Sequence, residues 1–405
     1  MKTDERTRTA DIIIVGAGVM GASLAFQLTR RNAGRVVVID KDHVGRGSSG
    51  RSSALIRMHY TFPAEVLLAV KSLEIFRNWE EIVGEPSDFR KVGFVRIVPS
   101  SEAENLKRNV EMQQTFGVIT NVIDRKQLKE IEPDWFVDDV DVAAYEPESG
   151  YGDGPNVASG FLVRARDCGA TYLPKTVVTQ LLTDGAHISG VATSQGDIHA
   201  RVVVLATGNW TKTLTDPLGL DIPIRTEYHE VAILKSTPGM KPHGAACVDS
   251  ITKTYFRSDG PDKTLVGTMF AEQSADPDNF PQRPTQESLA EVCELACQRI
   301  PALRNAELMR GITGVYDMTP DSRAMLGPLP GMPGLYLVAG FSGMGFKISP
   351  AVGIGMAELI LDGRARTVDL TNFRTTRFLE GQPIRPRYEY SSAVPELGVE
   401  QPKAV

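Results

Sequence analysis

At 405 residues the chain is longer than an ordinary single domain, and no Pro/Ser/Gly-rich linker divides it, so two intimately connected domains are expected. Its net charge of -6 comes from acids and bases mixed along the whole sequence, a solvated-surface pattern that excludes a nucleic-acid footprint. Four cysteines, Cys168, Cys247, Cys293 and Cys297, are too few and scattered for a disulfide framework or a thiolate metal site, so no metal is expected and the cytoplasm is the natural compartment.

The first ten residues, MKTDERTRTA, are polar and offer neither a secretory signal nor a membrane anchor. Asp11 to Val15 is a strand-type apolar run that passes through Gly16-Ala17-Gly18 into an amphipathic helix over Met20 to Arg31. A second apolar strand, Arg35 to Ile39, completes the β-α-β unit of a doubly wound sheet. A Gly/Ser-rich loop at 45–54 leads to a helical segment at 62–82, and Pro155 to Cys168 is helical in pattern. Short strands through 171–205 end in Val202-Val203-Val204-Leu205, which is expected to rejoin the first sheet. Between Ile222 and Arg310 lie β-type segments, including 253–257 and 264–268, and a helix near 285–299, together predicting a separate antiparallel layer. A strand at 335–339, a glycine-rich turn at 340–345 and a helix beginning near Ser349, with Pro350 in its first turn, close the fold. No segment approaches the roughly 20 apolar residues of a membrane span. The tail from Gly381 to Val405 reads as an extended or poorly ordered extension that could wrap a neighbour.

The expected fold is therefore α/β. A Rossmann-like dinucleotide-binding domain built from 1–90, 145–221 and 311–380 is interleaved with an α+β substrate domain, on an antiparallel sheet, from 91–144 and 222–310; residues 381–405 form a C-terminal extension.

Gly16, Gly18 and Gly21 form G-x-G-x-x-G between strand and helix. The first glycine permits the tight turn, the second lets backbone approach a pyrophosphate, and the third lets the helix pack closely on the strand. Phosphates would sit on the free N–H groups around Val19 and Met20. Asp40, at the end of the second strand and followed by Lys41, is placed for an adenosine ribose. Gly47, Ser48, Ser49, Ser52 and Ser53 lie in a hydroxyl-rich loop suited to a second set of hydrogen bonds to the same pyrophosphate. The fingerprint alone does not separate FAD from NAD.

Five motifs, GAGVMG, GSSGRSSALIR, YEPESGYGDGPNV, ATGNW and AGFSGMGFK, occur in order between Asp11 and Asn372. With them the chain resembles the D-amino-acid oxidase superfamily of flavoenzymes, in its sarcosine oxidase-like branch. The resemblance implies FAD as cofactor, with further contacts from Val178, Ala206, Thr207, Gly208, Trp210, Gly343, Met344, Gly345, Phe346 and Lys347. It also implies oxidation of an amino acid or N-methyl amino acid by hydride transfer to flavin N5, giving an imine that hydrolyses.

In enzymes of that branch a basic residue after the hydroxyl-rich loop and a lysine in the C-terminal glycine-rich turn hold the substrate carboxylate; the matching positions are Arg57 and Lys347. An arginine fork and a lysine point charge suit one carboxylate. Tyr255, Tyr316 and His59, with Tyr60 and His229, are candidates for lining the site or tuning the amine. Two departures are informative. Gly314 stands where monomeric sarcosine oxidases carry a flavin-linking cysteine, so non-covalent FAD is expected. Leu265 matches the oxygen-activating lysine, which leans towards a dehydrogenase using an acceptor other than O₂; Lys263, two residues earlier, restores the cation in a shifted alignment, so an oxidase using O₂ stays close behind. A flavin-dependent 2-hydroxy-acid oxidase or dehydrogenase, and an FAD-binding subunit of a multi-subunit amino-acid dehydrogenase, remain open, as do homo- and hetero-oligomers.

Overall fold

A computed structural model describes residues 8–84, 88–237, 244–269 and 272–390. Its first sheet has the order Met325–Pro328, Leu335–Ala339, Val202–Leu205, Ile12–Val15, Val36–Ile39, Thr171–Leu173. Only the pairing of Met325–Pro328 with Leu335–Ala339 is antiparallel. The all-apolar strands IIIV and VVVI are buried on both faces, as a helix-covered parallel sheet requires. Val202–Leu205 does rejoin this sheet, beside Ile12–Val15 in the register Ile12 to Val202.

Helix Val19–Thr29 is buried along its whole length, between Gly154–Asp167 and Gly345–Asp362. That depth explains its residues: VMGASLAFQLT has almost no charged face, because no face meets water. The segment expected to be helical at 62–82 forms two helices, Pro63–Arg77 and Trp79–Val83, broken at Asn78.

A second sheet runs Glu272–Ser274, Arg225–Lys235, Lys263–Thr268, Thr254–Ser258, Ala246–Asp249, Phe94–Ile97, Val142–Glu146, Asn121–Asp124, with Glu307–Met318 also pairing along Arg225–Lys235. It is antiparallel except where Phe94–Ile97 meets Ala246–Asp249. Helix Gln286–Arg299 packs on it, burying Cys297, while Cys293 is half-buried against the same core.

Two expectations are corrected. The last helix spans Gly345–Asp362 rather than starting near Ser349, so Pro350 lies inside it. Proline at that position removes the N–H that would satisfy the carbonyl of Phe346; the Ser349 hydroxyl donates to that carbonyl instead, at 2.8 Å, and the helix continues. The stretch Gly381–Tyr390 does not leave the molecule: the Ile384 N–H donates to Asp321 at 2.8 Å, and Tyr390 is buried. Residues 391–405 of the expected extension lie outside the described residues.

The fingerprint turn is held by backbone contact. Gly16 has φ +107°, donates its N–H to the Ile39 carbonyl at 2.7 Å, and leaves no room for a Cβ, which would stand 2.3 Å from the Ala206 carbonyl oxygen. A Cβ on Gly21 would fall 1.9 Å from the Gly16 carbonyl oxygen. Gly21→Ala should therefore lower stability by about 2 kcal/mol or more and weaken cofactor retention, because the obstacle is backbone that cannot step aside. A urea unfolding midpoint equal to the parent's would show that the helix can shift to admit the methyl.

Candidate active site

A cavity of about 460 Å³ opens at the carboxyl ends of the first sheet, where doubly wound sheets hold nucleotides. Its walls include Gly16, Gly18, Val19, Met20, Asp40, Lys41, Gly47, Ser48, Ser49, Ser52, Val178, Ala206, Thr207, Gly208, Trp210, Gly343, Gly345 and Phe346. Four other expected cofactor residues are not in its walls. Gly21 packs on the Gly16 carbonyl, the Ser53 carbonyl accepts from Arg257 Nε at 2.6 Å, Met344 is the N-cap of the last helix, and Lys347 is buried further along that helix.

The cleft fits a dinucleotide by its own geometry. Val19 starts a helix, and its N–H donates to the Ser49 hydroxyl at 3.1 Å, so polar hydrogens and a serine meet where a phosphate would sit. Glycine keeps position 18 open, since a Cβ there would press to 3.1 Å from that hydroxyl, which would have to give way. Both Asp40 oxygens accept backbone N–H groups, from Ala17 at 2.7 Å and Asp42 at 2.8 Å, which fixes the carboxylate in the cleft wall. Burial raises the Asp40 pKa against those hydrogen bonds. At the rim Lys41 Nζ lies 3.9 Å from the Trp210 ring centroid, and Asp278 accepts from both, at 2.6 Å from Lys41 and 2.8 Å from Trp210 Nε1.

At the inner end, Tyr316 and Asp317 enter the wall from strand Glu307–Met318. Asp317 accepts the Gly340 N–H at 2.6 Å and so organises the glycine-rich turn. Its carboxyl is fully buried, and desolvation pushes its pKa up to about 6. Tyr316 stacks on His229, ring centroids 3.9 Å apart, and is hydrogen-bonded to Tyr255. Burial lowers His229 to a pKa of about 4 and raises both tyrosines, so these three side chains are uncharged near neutral pH. Gly314 lies on the same strand, where an added Cβ would be 3.1 Å from that of Arg51 in the cavity wall.

Arg57 and Lys347 come together elsewhere, on the Tyr60 ring: the guanidinium carbon is 4.7 Å and the ammonium 5.9 Å from its centroid. Arg57 also donates to the His59 carbonyl, and its Nε is buried without a hydrogen-bond partner among the described residues. Burial, then the charge of Arg57, drives the Lys347 pKa well below the ordinary lysine value. Neither cation lines the cavity, but Lys347 follows Phe346, which does. His59 turns away from both, its Nε2 2.8 Å from Tyr390 Oη. Leu265 is buried in the second sheet, and Lys263, partly exposed, is paired with Lys235.

Sequence reading missed Arg46, Arg51 and the 277–282 stretch of the cavity wall. Arg51 lies inside the motif GSSGRSSALIR, whose position beside the fingerprint is its signal; Pro277, Asp278, Phe280 and Gln282 belong to a loop without periodicity that only the tertiary fold brings to the cleft. Among the described residues no helix is long and apolar enough to cross a membrane, and no cluster of His, Cys, Asp or Glu is arranged to hold a metal ion.

A glycine fingerprint, a fixed acid after the second strand and a cleft at the sheet's carboxyl edge define a dinucleotide-binding protein. The chain belongs to the FAD dependent oxidoreductase (DAO) family, whose profile matches residues 11–359; FAD is its cofactor. It is 27% identical to FAD-dependent oxidoreductase domain-containing protein 1 of Bos taurus, over 92% of this chain and 85% of that protein. With sarcosine oxidase subunit beta of Arthrobacter sp. it shares 25% identity over 94% of each. The crystal structure of L-proline dehydrogenase from P. horikoshii matches with a TM-score of 0.85 and 30% identity, covering 93% of this chain and 100% of that one.

The Asp317 shift has a defined sign. A carboxyl with a folded pKa of about 6 against a model-compound value of 3.8 costs nothing below pH 3.8 and its full penalty, about 3 kcal/mol, above pH 6. Stability of the apoprotein should thus decline between those limits, and Asp317→Asn should flatten that part of the profile. Parallel denaturation curves for parent and variant across the window would contradict it.

Proposed function

We propose that this enzyme oxidises the carbon beside the nitrogen of a small amino acid, preferably one with a secondary amine, with Arg57 and Lys347 gripping its carboxylate. FAD, when bound, supplies a two-electron acceptor, so an amine leaves as an imine that water hydrolyses. The observation that carries the reading is the convergence of Arg57 and Lys347 on one aromatic ring, with the Lys347 ammonium disfavoured by burial and then by Arg57. An anion bound by both offsets the repulsion between them, and a carboxylate matches the fork of Arg57 while Lys347 supplies a point charge from the first turn of its helix.

Tyr316, in the cavity wall, with His229 stacked on it and Tyr255 hydrogen-bonded to it, suits the amine end. Tyr255, Tyr316 and His229 carry no net charge near neutral pH, so they do not compete with the two cations for the carboxylate. A neutral His229 also leaves no imidazolium to repel a protonated amine. The names of two similar proteins support the class: sarcosine and L-proline both place a secondary amine beside a carboxylate. Leu265 and the dehydrogenase among the similar structures favour an acceptor other than O₂.

A second reading is favoured by the match to a protein named as a subunit: the chain works within a hetero-oligomer and turns over poorly alone. Anaerobic bleaching of the flavin near 450 nm by a panel of D-, L- and N-methyl amino acids and 2-hydroxy acids separates amine from hydroxy-acid chemistry. Dye-linked turnover of the isolated chain separates the autonomous enzyme from the subunit.

Two outcomes are expected. Acid precipitation should release the flavin intact as FAD, since Gly314 offers no thiol; yellow colour retained in the pellet would mean another tether. Arg57→Ala and Lys347→Ala should each lower kcat/KM by roughly 10²–10³, or about 2.7–4 kcal/mol, the scale of breaking a desolvated charge pair. Decarboxylated amines should lose little further in the variants. Equal losses on amines and amino acids would reassign both residues to folding or flavin positioning.

A further inference from the structure

The polypeptide after residue 381 returns to the substrate side by contacts that the proposed chemistry does not use. Asn105, Asn109 and Gln113 occupy one stripe of helix Ala103–Thr115, four residues apart. Asn105 Nδ2 donates to the Glu389 carbonyl at 3.1 Å, Asn109 Nδ2 to the Tyr388 carbonyl at 2.8 Å, and Gln113 Nε2 to the Tyr60 carbonyl at 2.9 Å. One helix face thereby grips both the C-terminal segment and the peptide that carries Tyr60. The Glu389 carboxylate is fixed separately by Arg323, at 2.6 Å.

What this grip delivers is Tyr390. Its ring, 3% exposed, lies under the Arg96 guanidinium at 4.7 Å and beside the His59 imidazole, while its hydroxyl is 2.8 Å from His59 Nε2. His59 is 3% exposed, and burial, then Arg96 and Arg57, hold its pKa well below the ordinary value. A neutral, buried imidazole has one strong reason to hold its orientation, the hydrogen bond at Nε2, because its Nδ1 is without a partner among the described residues. The backbone carbonyl of that residue accepts from Arg57 Nη1. Tyr390 is therefore connected to the guanidinium of Arg57 through a single residue.

We propose that Tyr390 is a positioning residue for substrate recognition: by locking His59 it fixes the carbonyl to which Arg57 is tied, and so aims the guanidinium at the substrate carboxylate. This rests on the carboxylate-binding reading of Arg57. The segment Tyr388–Tyr390 then belongs to the functional unit, although it lies beyond the family match, which ends at residue 359. A guanidinium has several rotatable bonds, and holding it in one geometry is what converts a nearby charge into a directional clamp.

The test uses the FAD-loaded enzyme and the amino acid that turns over fastest in the panel above, with its decarboxylated amine as control. Tyr390→Phe keeps the ring and deletes the hydroxyl. KM for the amino acid should rise about three- to tenfold, the worth of one buried hydrogen bond, with kcat within twofold and the temperature of flavin release unchanged. The amine should be unaffected. Asn109→Ala, which loosens the segment without touching His59, should raise KM in the same direction and serves if the tyrosine variant fails to fold. An unchanged KM in both variants, or an equal loss on amine and amino acid, overturns the inference. Arg57→Ala, run in parallel, separates the two failures: if it impairs only the amino acid while the Tyr390 and Asn109 variants do not, the positioning role alone falls; if Arg57→Ala also spares the amino acid, the carboxylate reading falls with it.

Discussion

The molecule depends on one close approach. Gly16 passes between two neighbouring strands, its N–H bonded to the Ile39 carbonyl and its Cα against the Ala206 carbonyl, and one turn later Gly21 rests on the Gly16 carbonyl. Three strand ends and a helix start are thereby fixed within one patch of backbone. The helix so aimed presents its first N–H groups to the cleft, and every later segment that reaches the cofactor is measured against them. No side chain could do this, because the separations are shorter than any Cβ allows.

The other half of the site is organised by Tyr316 to Arg323. Tyr316 and Asp317 face the cleft, and Asp317 holds the turn at Gly340. The same stretch then turns to structure: the Thr319 hydroxyl donates to the Arg323 carbonyl at 2.7 Å, Asp321 pairs with Arg377 at 2.8 Å, and Arg323 pairs with Glu65 at 2.8 Å. These pairs are almost entirely buried. Such pairs add little net stability over apolar residues, but losing one partner strands a charge in the interior. Their value here is geometric, since they tie the strand beside the cleft to helix Pro63–Arg77 and to the returning C-terminal segment.

What the sequence made legible follows from how local each feature is. The β-α-β unit, the glycine fingerprint and Asp40 could be read because each is set by residues within a few positions of one another, and the run Val202–Leu205 because a doubly buried strand must be continuously apolar. The start of the last helix was misplaced because Pro350 reads locally as a helix opener; the Ser349 hydroxyl that makes an interior proline tolerable is an interaction propensity does not count. The packing of Gly381–Tyr390 onto the molecule was not legible for a related reason. The composition there is that of an unstructured extension, and what orders Gly381–Tyr390 is distant: Asp321, Asn105, Asn109 and His59.

The same distinction separates the two cations of the proposed clamp. Lys347 is positioned by its own helix, because Gly345 starts it and the next two residues fall in its first turn, against the buried interior. Arg57 is positioned by remote parts of the chain. Its peptide is held by Glu146, which accepts the Met58 N–H at 2.9 Å, by Gln113 at Tyr60 and by Tyr390 through His59. A cation carried on one helix moves with that helix, whereas the placement of Arg57 depends on three separate parts of the chain. The supports of Arg57 therefore lie in the second sheet, in helix Ala103–Thr115 and in the C-terminal segment rather than in the cofactor-binding motifs.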